Sequence, residues 1–196
     1  NDVWAVARAS SAQDGIWYYD GSKWSKTDEY YSSGLICLYG FSQDNIWAGD
    51  IYSKIWHYDG AKWSIYKNFN IAGYDNVCIV DVWGSAANDV YTLGFAENYS
   101  GGYTGIIYHF DGNNWERLKI PEMKTAFKTI RKIDYGNYIV VTYNYEGGWL
   151  ERAYIFDGVS KLTEIATDYR NISLHSIRDN TYIVIRGIIY KCYKNI

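Results

Sequence analysis

A hexapeptide phrase occurs four times in this chain, and no other feature constrains the possible folds as tightly. The copies are Ile16-Trp-Tyr-Tyr-Asp-Gly21, Ile55-Trp-His-Tyr-Asp-Gly60, Ile107-Tyr-His-Phe-Asp-Gly112 and Ala153-Tyr-Ile-Phe-Asp-Gly158. A tryptophan follows the first three copies, as Trp24, Trp63 and Trp115. A second phrase precedes each copy: Asp2-Val-Trp-Ala, Asn45-Ile-Trp-Ala, Asp89-Val-Tyr-Thr and Asn137-Tyr-Ile-Val. Self-similarity of this kind marks one supersecondary unit used repeatedly, with each copy burying its apolar face against the next.

The third copy shows what the unit is. An apolar run, Asn76-Val-Cys-Ile-Val-Asp-Val-Trp83, ends at Gly84-Ser85, and Asn88-Asp89 then opens Val90-Tyr-Thr-Leu93. After a loop come Ile106-Ile-Tyr-His-Phe110, Asp111-Gly112 and the alternating stretch Trp115-Glu-Arg-Leu-Lys-Ile120. These read as four short strands, A to D. Asp-Gly closes the C–D turn because glycine tolerates positive φ and aspartate bonds its own neighbouring backbone. The turn aspartate recurs at positions 20, 59, 111 and 157, a period of roughly 40–50 residues, which predicts an all-β propeller of four-stranded antiparallel blades. Strands B and C should be covered on both faces, and they are near-continuous apolar runs, as Tyr138-Ile-Val-Val141 shows. The aromatic share of 19% suits such packed, pleated surfaces. A β-sandwich has no reason to repeat its own sequence.

About five blades are expected, approximately 1–28, 35–67, 76–120, 127–167 and 172–196. The first lacks strand A and the last lacks strand D, so the expectation is either a five-bladed propeller with flanking sequence absent or an arc of a larger one. The chain is then a propeller domain, or part of one within a larger polypeptide or assembly.

The phrases NDVWAV, GSAANDVY and HYDGAKW resemble the repeat of bacterial, often exported, β-propeller proteins. The resemblance covers nearly the whole chain, is good in the first three blades and decays in the last two, where Ile155 and Lys191 replace the histidine. It implies a fold and a location outside the cytoplasm, extracellular, cell-surface or periplasmic. It implies no particular activity.

Whole-chain properties remove several classes. The net charge is −3 with no basic block, which argues against nucleic acid as a partner. No run approaches the roughly 18 apolar residues of a membrane-spanning helix. Cys37, Cys78 and Cys192 are odd in number and match no metal or redox spacing, so they read as small buried hydrophobes. No nucleophile elbow, zinc-protease motif, phosphate loop or calcium loop is present, and no cofactor or metal is expected.

The repeat also acts as a mask. His57 and His109 share a column that holds Tyr18 and Ile155 in other copies, so they read as packing residues rather than general bases. Asp20, Asp59, Asp111 and Asp157, and likewise Asp2, Asn45, Asp89 and Asn137, are expected to satisfy local backbone donors. Trp4, Trp24, Trp47, Trp56, Trp63, Trp83 and Trp115 fall in repeat columns and are expected in the core.

What remains lies in the B–C and D–A loops, which strand parity places on one face of the disc. They carry aromatics that the repeat does not require: Tyr30, Tyr31, Tyr52, Phe69, Tyr74, Tyr99, Tyr103, Tyr145 and Trp149. Variable loops on a rigid scaffold commonly hold function, and exposed Tyr and Trp serve sugar stacking or protein contact. The competing reading is that these rings fold back over the blade ends. The candidate binding residues are Tyr52, Tyr99, Tyr103, Tyr145, Glu146 and Trp149. The expected function is a non-enzymatic recognition or scaffold module for a protein or glycan, with a protein slightly favoured. One alternative is a glycosidase or lyase drawing on Asp50, Glu97 and Glu146, with paired carboxylates in a cleft as its signature. Another is a purely structural repeat in a surface assembly.

Overall fold

The computed structural model describes residues 2–8, 14–27, 34–133, 136–144, 150–169, 171–177 and 180–192. Among these, eighteen strands form five antiparallel sheets in chain order, and there is no helix. The first sheet contains β1 (Val3–Ala7), β2 (Gly15–Tyr19) and β3 (Trp24–Lys26). The second contains β4 (Leu35–Ser42), β5 (Asn45–Asp50), β6 (Lys54–Tyr58) and β7 (Trp63–Asn68). The third contains β8 (Asn76–Ala86), β9 (Asp89–Glu97), β10 (Tyr103–Phe110) and β11 (Trp115–Arg117). The fourth contains β12 (Ala126–Lys132), β13 (Tyr138–Asn144), β14 (Leu150–Phe156) and β15 (Leu162–Tyr169). The fifth contains β16 (Ser173–Ile177), β17 (Asn180–Ile185) and β18 (Ile188–Cys192).

Each sheet is a meander whose sequence neighbours are also its hydrogen-bonded neighbours. Successive A strands, β4, β8, β12 and β16, pack beside one another, which is the inner-strand contact of a propeller. The outer strand of the third sheet is shorter than the alternation of Trp115–Ile120 suggested. It ends at Arg117, although the Leu118 N–H still donates to the Ile107 carbonyl at 2.9 Å.

The Asp-Gly turns are built as the repeat implies. Asp59 Oδ1 accepts the N–H groups of Ala61 and Lys62, both at 2.9 Å. Gly60 sits at φ +91°, where a side chain would be strained. Those backbone donors lower the pKa of Asp59, and the same cause acts on Asp111 and Asp157. At Asp20 the Lys23 N–H and the Ser22 hydroxyl bring the value down to about 2.

The residues that open strand B do a different job from the one expected. Asp2, Asn45 and Asp89 reach across to the histidine column of strand C: Tyr18 Oη donates to Asp2 Oδ1 at 2.8 Å, His57 Nε2 meets Asn45 Oδ1 at 3.0 Å, and His109 Nε2 meets Asp89 Oδ1 at 2.8 Å. Thus the column accepts Tyr or His because either can bond this partner, and the histidines are structural cross-links. Burial lowers the pKa of His57.

Between sheets, the third residue of the B phrase covers the tryptophan of the next sheet. Trp4 lies 5.9 Å from Trp63 and Trp47 lies 5.4 Å from Trp115, both edge-on. In the next step Tyr91 and Tyr138 join their hydroxyls at 2.9 Å. Trp24 breaks the pattern. It was expected in the core with its counterparts, yet it is 49% exposed, against 6% for Trp63 and 3% for Trp115. Tyr19 of its own sheet lies 5.3 Å away, but among the described residues no other sheet supplies a covering ring.

Carboxylates bridge the sheets as well. Asp81 Oδ2 accepts Thr129 Oγ1 and Arg131 Nη1, both at 2.7 Å. Lys128 fills the extra position of a bulge in β12 and donates to Glu151 Oε1 at 2.6 Å and to the Ile172 carbonyl at 3.0 Å. Glu151 also accepts the Ile172 N–H, so one ion pair ties the fourth sheet to the fifth. The three cysteines are all free thiols, and burial lifts Cys78 to about 12.

Candidate functional site

The site is assembled from three consecutive loops on the B–C and D–A face. Its first wall is the B–C loop of the second sheet. Asp50, at the end of β5, is fully buried and accepts the N–H groups of Tyr52 at 2.8 Å and Lys54 at 2.9 Å and the Trp56 indole N–H at 3.0 Å. Ser53 then takes a left-handed conformation, φ +70°. Its N–H donates to the Val77 carbonyl and its hydroxyl oxygen accepts the Val77 N–H, both at 2.9 Å. The loop is therefore stitched to the start of β8, and Tyr52 stands out from it, 49% exposed.

The second wall is the D–A connection from Asn68 to Asn76. Phe69, expected among the exposed loop aromatics, is buried instead, with its ring stacked 4.1 Å from that of Tyr108. Its backbone N–H donates to the Ser53 carbonyl at 2.7 Å, which holds this loop to the first one. Asn76 Nδ2 donates to the Ile51 carbonyl at 2.8 Å and to Glu97 Oε1 at 3.2 Å. Tyr74 is half-buried against the core, and its hydroxyl faces Glu122 Oε1 at 3.4 Å.

The third wall is the B–C loop of the third sheet. Asn98 closes it locally by accepting the Gly102 N–H at 2.8 Å and donating to the Gly73 carbonyl at 3.3 Å. Asp75 Oδ2 accepts the Tyr99 N–H at 2.8 Å. The backbone of Tyr99 is thus fixed while its ring is 94% exposed.

Together these walls enclose a groove of about 710 Å³, with Tyr52, Tyr74, Asp75, Glu97 and Tyr99 among its lining residues. That size is within the range of ligand sites. The loop backbone that carries the rings and the carboxylates is held by hydrogen bonds that span two sheets, so the groove is set before anything enters it. Such an arrangement offers stacking faces and hydrogen-bond acceptors, and its two carboxylates are tied to neighbouring loop groups.

Of the six candidates, Tyr52 and Tyr99 share this groove. Tyr103 does not line it; its hydroxyl donates to Asn144 Oδ1 at 2.8 Å and joins the third and fourth sheets. Tyr145, Glu146 and Trp149 lie outside the described residues, as do Tyr30 and Tyr31. Of the carboxylates weighed for catalysis, Glu97 lines the groove, whereas Asp50 is sealed beneath its own loop. Sequence reasoning passed over Ser53, Asp75 and Asn98, which position the rings. Their only signal was their place in loops that the repeat leaves unspecified.

No family model matches the chain, and no curated protein matches it in sequence. Solved structures do match. The extracellular domain of a hybrid two-component system from B. thetaiotaomicron aligns at TM-score 0.58 with 12% identity over 92% of this chain and 24% of that one. YCF48 bound to a D1 peptide aligns at TM-score 0.57 with 14% identity over 94% and 58%. The computationally designed Ika8 protein aligns at TM-score 0.56 with 13% identity over 92% and 52%. The fold is a β-propeller. At such identities the likeness concerns architecture alone, and the chain spans between 24% and 58% of the length of these structures. Among the described residues no helix is long and apolar enough to cross a membrane.

Proposed function

We propose that the protein is a non-enzymatic recognition propeller, working outside the cytoplasm, that binds a partner through the groove between its second and third sheets. One observation carries this reading: two tyrosines that the repeat does not require, Tyr52 and Tyr99, stand exposed on separate loops of one groove whose backbone is fixed. Exposed tyrosine rings gathered at one groove offer the amphipathic contact area that recognition surfaces commonly use. That YCF48 is described with a bound peptide and that another neighbour is an extracellular domain supports the same reading by analogy of fold. The burial of Asp50 leaves the enzymatic alternative with fewer carboxylates to draw on.

Peptide and glycan arrays probed with the wild-type protein, Tyr52→Ala and Tyr99→Ala test the proposal. The expected result is a set of ligands whose signal falls in both variants while thermal unfolding is unchanged. Ligands that bind all three proteins equally would place recognition elsewhere and overturn it.

A further inference from the structure

We infer that the occupant of this groove is a lysine- or arginine-bearing segment of a partner protein. The inference rests on the groove being the recognition site and goes on to specify what it recognises.

Charge complementarity is the first argument. The thirteen lining residues include two carboxylates, Asp75 and Glu97, and no lysine, arginine or histidine. Both carboxylates are exposed, and each spends only one oxygen on the protein: Asp75 Oδ2 on the Tyr99 N–H, Glu97 Oε1 on Asn76. The other oxygen of each has no hydrogen-bond partner among the described residues. Two acceptors of one sign therefore border a groove that no cationic side chain lines.

The second argument separates a cation from a sugar. A glycan presents hydroxyls that must both donate and accept, and half-buried amides usually answer them. Here the two half-buried amides, Asn76 and Asn98, are already committed, and only the exposed amides of Asn68 and Asn70 remain for a sugar. Asn76 uses its N–H groups on Ile51 and Glu97 and its oxygen on Ser53, and Asn98 uses both ends on Gly73 and Gly102. An ammonium or guanidinium brings only donors, which suits the acceptor-only carboxylates of Asp75 and Glu97 that the groove leaves open. The exposed faces of Tyr52 and Tyr99 add cation–π partners of the right type.

Fluorescence anisotropy with three labelled dodecapeptides, alternating Ser with Lys, Gln or Glu, tests this. The Lys peptide should bind and the Gln and Glu peptides should not. Glu97→Gln should weaken the Lys peptide about two- to fivefold, as expected for an exposed ion pair. Tyr99→Ala should weaken it about fivefold or more. Glu116→Gln removes an equal charge outside the groove and should leave affinity unchanged. Equal weakening by Glu116→Gln would show nonspecific attraction to a net negative protein and overturn the inference, as would equal binding of the Lys and Gln peptides. If a neutral oligosaccharide binds instead and is lost in Tyr99→Ala, the basic-segment inference falls while the groove remains the recognition site. If no peptide or sugar responds to Tyr52→Ala or Tyr99→Ala, both fall.

Discussion

At the turn end of the sheets one carboxylate repeats the same task, whereas at the loop end each carboxylate has a task of its own. Asp20, Asp59, Asp111 and Asp157 each accept N–H groups two and three residues ahead. At the other end Asp50 seals a loop, Asp75 fixes Tyr99, Glu97 holds Asn76 and Glu151 joins two sheets. The turn is a local problem with one solution, so copying the sequence copies the solution. The loop end must join unequal neighbours, so its solutions are singular, and those of Asp75, Glu97 and Glu151 are long-range as well. Repetition thus marks what the scaffold needs, including the ring contacts between sheets, and non-repetition contains the carboxylate fasteners between sheets and the groove.

The strongest test of that contrast asks whether repetition in sequence means equality in energy. Trp63 and Trp24 occupy the same column, but only Trp63 is covered by another sheet. Trp63→Ala should cost about 3–5 kcal/mol, the range for a buried aromatic. Trp24→Ala should cost under about 1 kcal/mol, as for a surface change. Urea unfolding of both variants decides the matter; equal losses would mean that Trp24 is covered in solution.

Asp50 gives the next largest effect and comes from the singular end. Asp50→Ala strands two backbone donors and an indole N–H in a buried place, and about 2–4 kcal/mol should be lost. Because Tyr52 is set by this carboxylate, peptide binding should fall together with stability. A variant that loses neither would show that the loop holds its shape without the anchor.

These two residues also show where sequence reading succeeds and where it stops. Asp59 was legible because its partners lie at Ala61 and Lys62, inside the same phrase. Asp50 was not, since it resembles any loop carboxylate until Trp56 is known to fold back onto it. Trp24 misled because a column records what a position was built for, while burial depends on the neighbour beside it. Subtracting the repeat left a set of aromatics outside its columns, but it could not tell Tyr99 from Phe69. That distinction is made by Tyr108, a ring 39 positions away in the chain that covers one and not the other.

Acid should expose the repeated end selectively. Asp20 has its pKa lowered to about 2 from an ordinary 3.8, so its contribution to stability is complete above 3.8 and is lost as pH falls towards about 2. Asp59, Asp111 and Asp157 shift in the same direction for the same reason. In Asp20→Asn the side-chain oxygen can still accept the turn N–H groups but no longer titrates. The acid limb of a stability–pH curve should therefore be shallower in this variant, with little change near neutrality. An unchanged acid limb would mean that the turn carboxylate is not held in solution as it is here.

The smallest stability effect is also the one most closely tied to function. Among the described residues Tyr99 makes one hydrogen bond, to Asp75 through its backbone, which any residue but proline can supply, and its ring is 94% exposed. Tyr99→Ala should therefore leave the unfolding midpoint within about 0.5 kcal/mol of wild type. Asp75→Ala removes the acceptor instead and lets the loop carrying Tyr99 loosen. If the ring acts as a fixed contact, both variants should weaken ligand binding, one by deleting the ring and the other by no longer holding it and by removing a carboxylate of the groove. Measured side by side, binding loss in both with stability loss in neither separates a contact residue from a scaffold residue. A drop in stability for Tyr99→Ala comparable to that of Trp63→Ala would instead return Tyr99 to the repeat-like core and remove the groove's distinguishing feature.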